Sequence, residues 1–339
     1  MTIKKRLING FTIVELIIVI TIIGILATIV GVSYNGARDN AVAVSLQSDL
    51  NNAADLLRVV QAQSGTGVFP ATLAAADSGN GVPVTKGNSY QYTVNNIGTP
   101  KTFCLTATNG TKSYSINQEG TPFVGVCPVL YLDAAVATSY PGSGTAWFDL
   151  SGNGSDGTFV GSGITYSNTN DGVISFPGVA TRVETIPQTY SNTMTWTAWI
   201  NCAQSMGAHN MFMGRYLPYF SYRSGNNIMF SNSIGSTQRS ISTASNLTLN
   251  TWYYTAFTTE YDGTNITMKI YINGSLSTSA SYAGTQDASA NKFTVGDGGN
   301  NATWYPFNGK IANVRVYNKT LTADEINKSF NTLRSRFGI

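Results

Sequence analysis

The sequence predicts two folds in one chain: an α+β unit with a long N-terminal helix and a small antiparallel sheet, followed by an all-β sandwich. Three observations predict this order. An apolar run near the N-terminus passes into an amphipathic stripe with helical spacing. Short alternating segments bounded by Gly, Asn and Pro then follow to the C-terminus. Charged residues make up only 11% of the 339 residues, which suits strands and turns better than helical bundles.

The first element is an apolar segment at residues 11–32, in which Glu15 is the single charged side chain. At about 1.5 Å of rise per helical residue, this segment is long enough to cross a hydrocarbon layer of roughly 30 Å. A carboxylate inside such a span costs about 2.5–3.5 kcal/mol. No basic residue lies within residues 11–34 to pair with it. Glu15 therefore needs either a protonated state or a partner from outside this segment.

The flanks of the apolar segment set its orientation. Lys4, Lys5 and Arg6 precede it and place the N-terminal flank in the cytoplasm by the positive-inside bias. A secretory signal peptide is disfavoured because the run is too long, contains an acid, and has its nearest small-residue cleavage pattern only at 41–43. A plain N-terminal membrane anchor remains an alternative, since span length and flanking charge alone do not exclude it.

The residues GFTIVEL at 10–16, with the basic segment before them and IIGILA after them, resemble the leader and N-terminal helix of bacterial type IV pilins and pseudopilins. The resemblance implies that residues 1–10 are a leader, that a prepilin peptidase cuts between Gly10 and Phe11, and that Phe11 becomes N-methylated. It also implies that Phe11 and Glu15 serve filament assembly, because the glutamate pairs with the terminal amine of a neighbouring subunit. One departure is Val32, where many members of the family have proline.

The same resemblance implies partners and a location. The partners are other pilin subunits in a helical homo- or hetero-polymer, the prepilin peptidase and the inner-membrane pilus assembly machinery. The chain is expected to cross the cytoplasmic membrane once before assembly and then to lie in an extracellular filament on the cell surface. The net charge of +3 matches the three basic residues of the leader, so no nucleic acid partner is expected.

Apolar residues at spacings of three and four continue the helix to about residue 63, where Ser64, Gly65 and Gly67 end it. The segments SYQYTV, TFCLTAT and KSYSI then predict three or four antiparallel strands laid on the helix. We therefore expect a pilin-like domain at 11–128, with its helix at about 11–63 and its β head at about 84–128.

Two cysteines, Cys104 and Cys127, bracket this predicted sheet. An exported compartment permits a disulfide between them. The resemblance to pilin heads, which often staple their C-terminal region, strengthens this pairing. Two free buried thiols are the alternative.

From residue 129 onward, segments such as TMTWTAWI and KFTVGD alternate apolar and polar residues, and Asp262-Gly263 and Asn273-Gly274 are hairpin turn signals. Many short strands at even spacing predict an all-β sandwich. WFDLSGNGSDGTFVG and the closing stretch FNGKIANVRVYNKTLTADEINKSF resemble a laminin G or pentraxin-type, concanavalin A-like jelly roll over residues 129–339. A strand at 311–317 and a short helix at 322–333, capped by Thr322 with Glu325, close the chain.

The sequence argues against an enzyme. Related glucanases place acids as Glu-x-Asp-x-x-Glu, whereas Glu260 and Asp262 lack the third acid. His209 is the only histidine, so the chain offers neither a Ser-His-Asp triad nor a multi-histidine metal site. Cys202 follows a predicted strand and is interpreted as a small core residue and not as a nucleophile.

The predicted loop GDGGNNATWYPFNGK contains Asp297, Asn300, Trp304 and Tyr305. A flat aromatic ring suits the apolar face of a sugar, and amides with a carboxylate suit its hydroxyl groups. These four residues are the candidate ligand-binding residues, and the alternative is that the aromatic rings pack under their own loop.

Calcium is possible in the jelly-roll domain, because laminin G-like domains often bind it and Asp149, Asp156 and Asp297 lie in Gly- and Asn-rich loops. No ligand spacing identifies a metal site, and the predicted function requires no cofactor.

We expect a structural subunit of a type IV pilus-like filament that carries a lectin-like domain and acts as a minor or tip pilin in adhesion to glycans or surface proteins. The alternative is a major pilin or a type II secretion pseudopilin whose jelly roll is a structural spacer.

Overall fold

The structure is a computed structural model that describes residues 12–85, 87–204, 209–214, 217–287, 290–298 and 306–339. Within these residues the chain forms a long helix on a small sheet, followed by two large sheets with a short helix. The helices are α1 (Ile13–Gln63) and α2 (Ala323–Leu333). The predicted fold class, an α+β unit followed by an all-β sandwich, is confirmed.

Helix α1 begins two residues after the predicted start and ends at the predicted residue. Thr12 is its N-cap, and the N–H of Ser64 closes its end on the carbonyls of Val60 and Gln61. Side chains from residue 12 to residue 28 are exposed. Within the described residues, no helical segment combines the length and the apolarity of a membrane span.

The small sheet consists of four antiparallel strands, β1 (Ser89–Asn95), β2 (Thr102–Asn109), β3 (Lys112–Asn117) and β4 (Phe123–Val124), in the order β1-β2-β3-β4. Phe103, Leu105 and Ile116 face the second half of α1 and form one core with its buried stripe of Leu46, Leu50, Ala53, Ala54 and Leu57. The amphipathic half of the helix packs on the sheet because this contact removes its apolar stripe from water.

The predicted disulfide is present. Cys104 lies in β2, and its bond to Cys127 joins Cα atoms 6.0 Å apart. The N–H of Cys127 also donates to Thr106 Oγ1. The staple therefore fixes the segment after β4 to the centre of the small sheet, a few residues before the next strand begins.

Sixteen strands follow within the described residues. They are β5 (Leu130–Asp133), β6 (Ala146–Trp147), β7 (Gly157–Val160), β8 (Thr165–Ser167), β9 (Val173–Pro177), β10 (Arg182–Thr189), β11 (Met194–Cys202), β12 (Asn210–Gly214), β13 (Tyr219–Tyr222), β14 (Ile228–Ile234), β15 (Thr237–Ser242), β16 (Trp252–Tyr261), β17 (Asn265–Ile272), β18 (Ser275–Ala283), β19 (Ala290–Val295) and β20 (Asn308–Tyr317).

These strands form two antiparallel sheets that face each other. The first has the order β15-β14-β13-β12-β19-β10-β7-β6, and the second has the order β18-β17-β16-β11-β20-β9-β8, with β5 also paired to β20. Buried residues from both sheets, including Trp196, Phe212, Phe230 and Val314, form the core between them. Such a two-layer arrangement buries the inner face of each sheet.

Strand β20 is the centre of the second sheet. Along one edge it pairs with β11, and along the other it pairs first with β9 and then with β5. Since β5 begins three residues after Cys127, the chain passes from the small sheet into the middle of the sandwich without a long linker.

The short helix α2 covers the outer face of the second sheet. Thr322 and Glu325 form the predicted capping box, with the Thr322 N–H 2.8 Å from Glu325 Oε2 and the Glu325 N–H 3.2 Å from Thr322 Oγ1. Phe330 of this helix and Phe337 beyond it stack on Trp199. The predicted strand and capped helix at the C-terminus are therefore confirmed.

Candidate functional site

The start of α1 carries the predicted assembly residue Glu15. Its Oε2 accepts from both the N–H and the hydroxyl of Thr12 at 2.8 Å, while its own N–H donates to Thr12 Oγ1 at 3.3 Å. This reciprocal pair satisfies N–H groups that the first helical turn leaves open. Glu15 thus has a local hydrogen-bond partner, Thr12, which the sequence did not predict.

Gly10 and Phe11, the predicted cleavage and methylation residues, lie outside the described residues.

The loop after β6 is organised by Asp149, which is 1% exposed. Its carboxylate accepts from the N–H of Tyr131, Ser151 and Ser155 and from the Ser151 hydroxyl, at 2.6–3.0 Å. Burial raises the pKa of the Asp149 carboxyl, and these hydrogen bonds oppose the rise. Asp156 in turn accepts from the Asp149 N–H at 2.8 Å.

The Asp149 carboxylate is occupied by hydrogen-bond donors of the protein, and calcium binding in this domain stays a prediction. Calcium needs six to eight oxygen ligands, but the oxygens of Asp149 face four donors. Asp297 is only 2% exposed. In the part of the chain that the structure describes, no group of three or more His, Cys, Asp or Glu side chains is arranged to hold a metal ion.

The same loop contacts the small sheet. The Thr93 hydroxyl of β1 donates to the carbonyl of Ser151 at 2.9 Å. A Cβ on Gly152 would lie 2.8 Å from the Thr93 carbonyl oxygen and 3.1 Å from the Cys104 nitrogen. Only glycine permits this approach, because the backbone of Gly152 also has a φ of +81°. The sandwich is therefore docked directly on the small sheet.

The predicted ligand loop is described only at its ends. Asp297 is buried, and its backbone carbonyl accepts from the Thr294 hydroxyl at 2.5 Å. The role of Asp297 in ligand binding also stays a prediction. Asn300, Trp304 and Tyr305 lie outside the described residues, and their role in binding stays a prediction.

A pocket of about 260 Å³ lies where β9, β11 and β20 meet at the rim of the sandwich. We call it the rim pocket. It is lined by Ser175, Phe176, Asn201, Asn250, Asn308 and Lys310, with Ala203 and Gly309. The predicted ligand loop runs directly into two of these residues, Asn308 and Lys310.

Strand register aligns three polar residues of the rim pocket in one row. Lys310 of β20 is directly opposite Ser175 of β9 on one side and Asn201 of β11 on the other. Directly opposed residues of antiparallel strands project from the same face. Gly309 allows the close approach at this point, because a Cβ there would lie 2.2 Å from the Asn201 carbonyl oxygen.

Sequence reasoning missed the rim pocket. Ser175, Asn201 and Lys310 lie in separate stretches of the chain, and each reads alone as an ordinary polar residue of a strand. The one available signal was NGK at 308–310, which directly follows the aromatic loop.

The acids considered for glycoside hydrolysis make local interactions. Glu260 pairs with Lys269 at 2.8 Å, and Asp262 accepts from the N–H groups of Thr264 and Asn265 in its own turn. Cys202 is buried, and this burial raises the pKa of its thiol to about 12. A thiol with that pKa is a poor nucleophile at neutral pH.

Two family models match the chain. The prokaryotic N-terminal methylation motif matches residues 5–31, and the concanavalin A-like lectin/glucanases superfamily matches residues 168–327. Residues 5–31 therefore match an N-terminal methylation motif, and residues 168–327 match a concanavalin A-like domain. Both matches agree with the resemblances that the sequence predicted for these two parts of the chain.

Solved structures similar to this chain are distant in sequence. The botulinum neurotoxin serotype G binding domain is 17% identical, with a TM-score of 0.48 over 61% of this chain and 51% of that chain. The binding domain of Paraclostridial mosquitocidal protein 1 is 17% identical, with a TM-score of 0.47 over 60% and 52%. The chain thus spans about half the length of these two structures.

A smaller domain is matched over most of its length. Domain 4 of AbnA, a GH43 extracellular arabinanase from Geobacillus stearothermophilus solved with arabinotriose, is 20% identical, with a TM-score of 0.48 over 59% of this chain and 96% of that chain. A comparison with curated proteins finds no match.

Proposed function

We propose that this protein is a subunit of a type IV pilus-like filament that carries a lectin-like binding domain and acts in adhesion as a minor or tip pilin. The observation that carries the proposal is the direct docking of the jelly roll on the small sheet, through Thr93, Ser151 and Gly152. A binding domain fixed in this way moves with the filament subunit and transmits load to it. A freely tethered domain would not hold a defined orientation on the filament.

The assembly half of the proposal rests on the N-terminal motif and on α1. The prepilin peptidase would cut after Gly10 and methylate Phe11, and the new amine would pair with Glu15 of a neighbouring subunit. Apolar side chains from Ile13 to Leu26 are exposed in the single chain. Packing against lipid and then against other subunits would cover them. The protein would accordingly lie in the cytoplasmic membrane before assembly and on the cell surface afterwards.

The binding half of the proposal places ligand recognition at the rim of the jelly roll. The rim pocket includes Asn308 and Lys310. These residues follow the predicted loop residues Asn300, Trp304 and Tyr305 directly in the sequence. Glycans or surface proteins are the proposed ligands, and binding without hydrolysis is the proposed activity. No cofactor is required for this activity.

Sheared filaments test this proposal. Cells would produce either the full chain or a chain truncated after Pro128, which keeps α1, the small sheet and the Cys104–Cys127 disulfide. We expect both forms to be processed and recovered in filaments, and only the full chain to support adhesion to glycan-coated surfaces, measured with and without EDTA. Equal adhesion by both forms would favour a structural spacer, as in a major pilin or a type II secretion pseudopilin.

A further inference from the structure

We propose that the rim pocket binds a carboxylated saccharide and that the ammonium group of Lys310 pairs with its carboxylate. The inference rests on the proposed adhesive function, since it names the ligand class for that binding domain. It is carried by three observations: the charge of the pocket, the unused polar groups around it and the strand register that brings them together.

The charge of the pocket favours an anionic ligand. Among the described residues that line the pocket, Lys310 is the one charged residue, and none of them is an acid. Its side chain is exposed and makes no ion pair or hydrogen bond within the described residues. The other lysines described all have a partner, and they are Lys101, Lys112, Lys269, Lys292, Lys319 and Lys328. Among the described lysines, Lys310 is therefore the one whose ammonium group has no partner in the described part of the chain.

The neighbouring groups favour a polyhydroxylated ligand. The side-chain amides of Asn201 and Asn250 make no hydrogen bond within the residues that the structure describes, and both line the pocket. Each amide offers two donors and one acceptor oxygen, and the Ser175 hydroxyl both donates and accepts. Sugar hydroxyls, which also donate and accept, match such a mixed set better than a phosphate, which only accepts.

The pairing register of the strands places the polar side chains of the rim pocket next to one another. Ser175, Lys310 and Asn201 form one row across three adjacent strands, where neighbouring strands lie about 4.8 Å apart. The row therefore spans roughly two strand spacings, on the order of 10 Å, which suits one or two sugar rings. Trp252 is the next residue in the row, opposite Asn201, and its ring packs on Phe337 at 4.6 Å between centroids. Trp252 therefore has an aromatic neighbour at that end of the row.

An ordinary polar surface is the competing explanation, because solvent-facing strand positions are often polar. The two explanations predict different effects of a ligand carboxylate on binding affinity. A polar surface binds neutral and carboxylated sugars equally weakly, whereas the proposed site prefers the carboxylated member of a matched pair.

The test uses the full chain in detergent and titration calorimetry at physiological ionic strength with EDTA. The first pair of probes is trigalacturonate and the same trimer with its carboxyl groups reduced to hydroxymethyl groups. The second pair is sialyllactose and lactose. We expect the chain to bind the carboxylated member of at least one pair about tenfold or more tightly than its neutral counterpart, as expected for one charge-assisted contact.

Matched variants assign this preference to Lys310. Lys310→Gln should abolish the preference, and Lys310→Arg should retain part of it. Lys269→Gln removes the same charge from a different strand and should keep the full preference. The melting temperature should be the same in the two Lys310 variants and the wild type, because this side chain is exposed.

Several results would overturn the inference: no preference in either pair, an unchanged preference in Lys310→Gln, or an equal loss in Lys269→Gln. The proposed function is judged separately from filaments. Filaments that adhere without any carboxylate preference would refute this inference and leave the adhesin proposal intact. A Lys310-dependent preference in a chain that never enters filaments would support this inference and refute the pilus role.

Discussion

The guanidinium of Arg315 lies 5.1 Å from the centre of the Phe123 ring and joins the central strand of the jelly roll to the last strand of the small sheet. The same guanidinium lies 4.2 Å from the centre of the Tyr131 ring, and its Nη2 donates to the Tyr131 hydroxyl at 2.8 Å. Arg315 is only 9% exposed. A buried cation held between aromatic rings therefore forms part of the junction between the two domains.

Replacing Phe123 tests this junction. Phe123→Ala should lower the free energy of unfolding of the full chain by about 1–3 kcal/mol, because it removes both ring packing and a cation–π contact. Phe123→Leu keeps much of the apolar volume and should lose about half as much. Urea unfolding followed by tryptophan fluorescence measures both values. Equal losses in the two variants would assign the effect to the contact between the Phe123 ring and Arg315, and no loss in Phe123→Leu would assign it to apolar volume alone.

Asp149 should be a stability residue of the jelly roll and not a metal ligand. Asp149→Ala leaves three N–H groups and a hydroxyl without their acceptor, which should cost about 3–5 kcal/mol. Asp55→Ala is the control, because Asp55 makes an exposed ion pair with Arg58 and its loss should cost under about 0.5 kcal/mol. Thermal unfolding with and without calcium measures both. Stabilisation of the wild type by calcium that disappears in Asp149→Ala would contradict this assignment.

Cys202 should be unreactive in the folded chain. Burial raises the pKa of its thiol to about 12, so very little thiolate exists at pH 8. We expect iodoacetamide at pH 8 to leave the native protein unmodified and to add one group per chain after unfolding without reductant, since Cys104 and Cys127 are bonded to each other. Mass spectrometry counts the added groups. A modified native chain would show that the thiol is accessible.

Glu15 should matter for assembly more than for insertion. Glu15→Ala should leave membrane insertion intact or improve it, because the apolar run becomes longer, and should reduce recovery in sheared filaments through loss of the intersubunit charge pair. Thr12→Val is the informative control. It breaks the local capping box, at a cost of about 0.5–2 kcal/mol, but keeps the carboxylate. Normal recovery of Thr12→Val with poor recovery of Glu15→Ala would separate the two roles, and equal recovery of all three chains would contradict the pairing.

Leader processing gives the most direct check of the N-terminal prediction. The mature protein should begin at N-methylated Phe11, and Gly10 replaced by a bulky residue should block cleavage, because the peptidase must accommodate the backbone before Phe11. Intact-mass spectrometry of protein from membranes and filaments measures both. A mature chain beginning at Met1, or near Val44, would refute the pilin-type leader.

The sequence by itself determined the elements whose signals are local. The end of α1 at Gln63 follows from the Ser-Gly segment after it, and the start of α2 follows from the capping pair Thr322 and Glu325. The small sheet follows from three alternating segments. The Cys104–Cys127 bond was predicted from the resemblance and the export compartment, and the structure contains it. In each element, residues within a few positions of one another supply the hydrogen bonds or the periodicity.

Only the tertiary structure decided which distant residues meet. The row of Ser175, Lys310 and Asn201 depends on strand register across β9, β20 and β11, and a shift of one residue would turn each side chain to the opposite face. The same limit applies to Asp149 and Asp297, which the sequence analysis named as candidates because their loops are rich in Gly and Asn. Burial and hydrogen bonding depend on packing from other parts of the chain, which no local pattern encodes. In the fold, Asp149 accepts hydrogen bonds from several N–H groups, and Asp297 is buried.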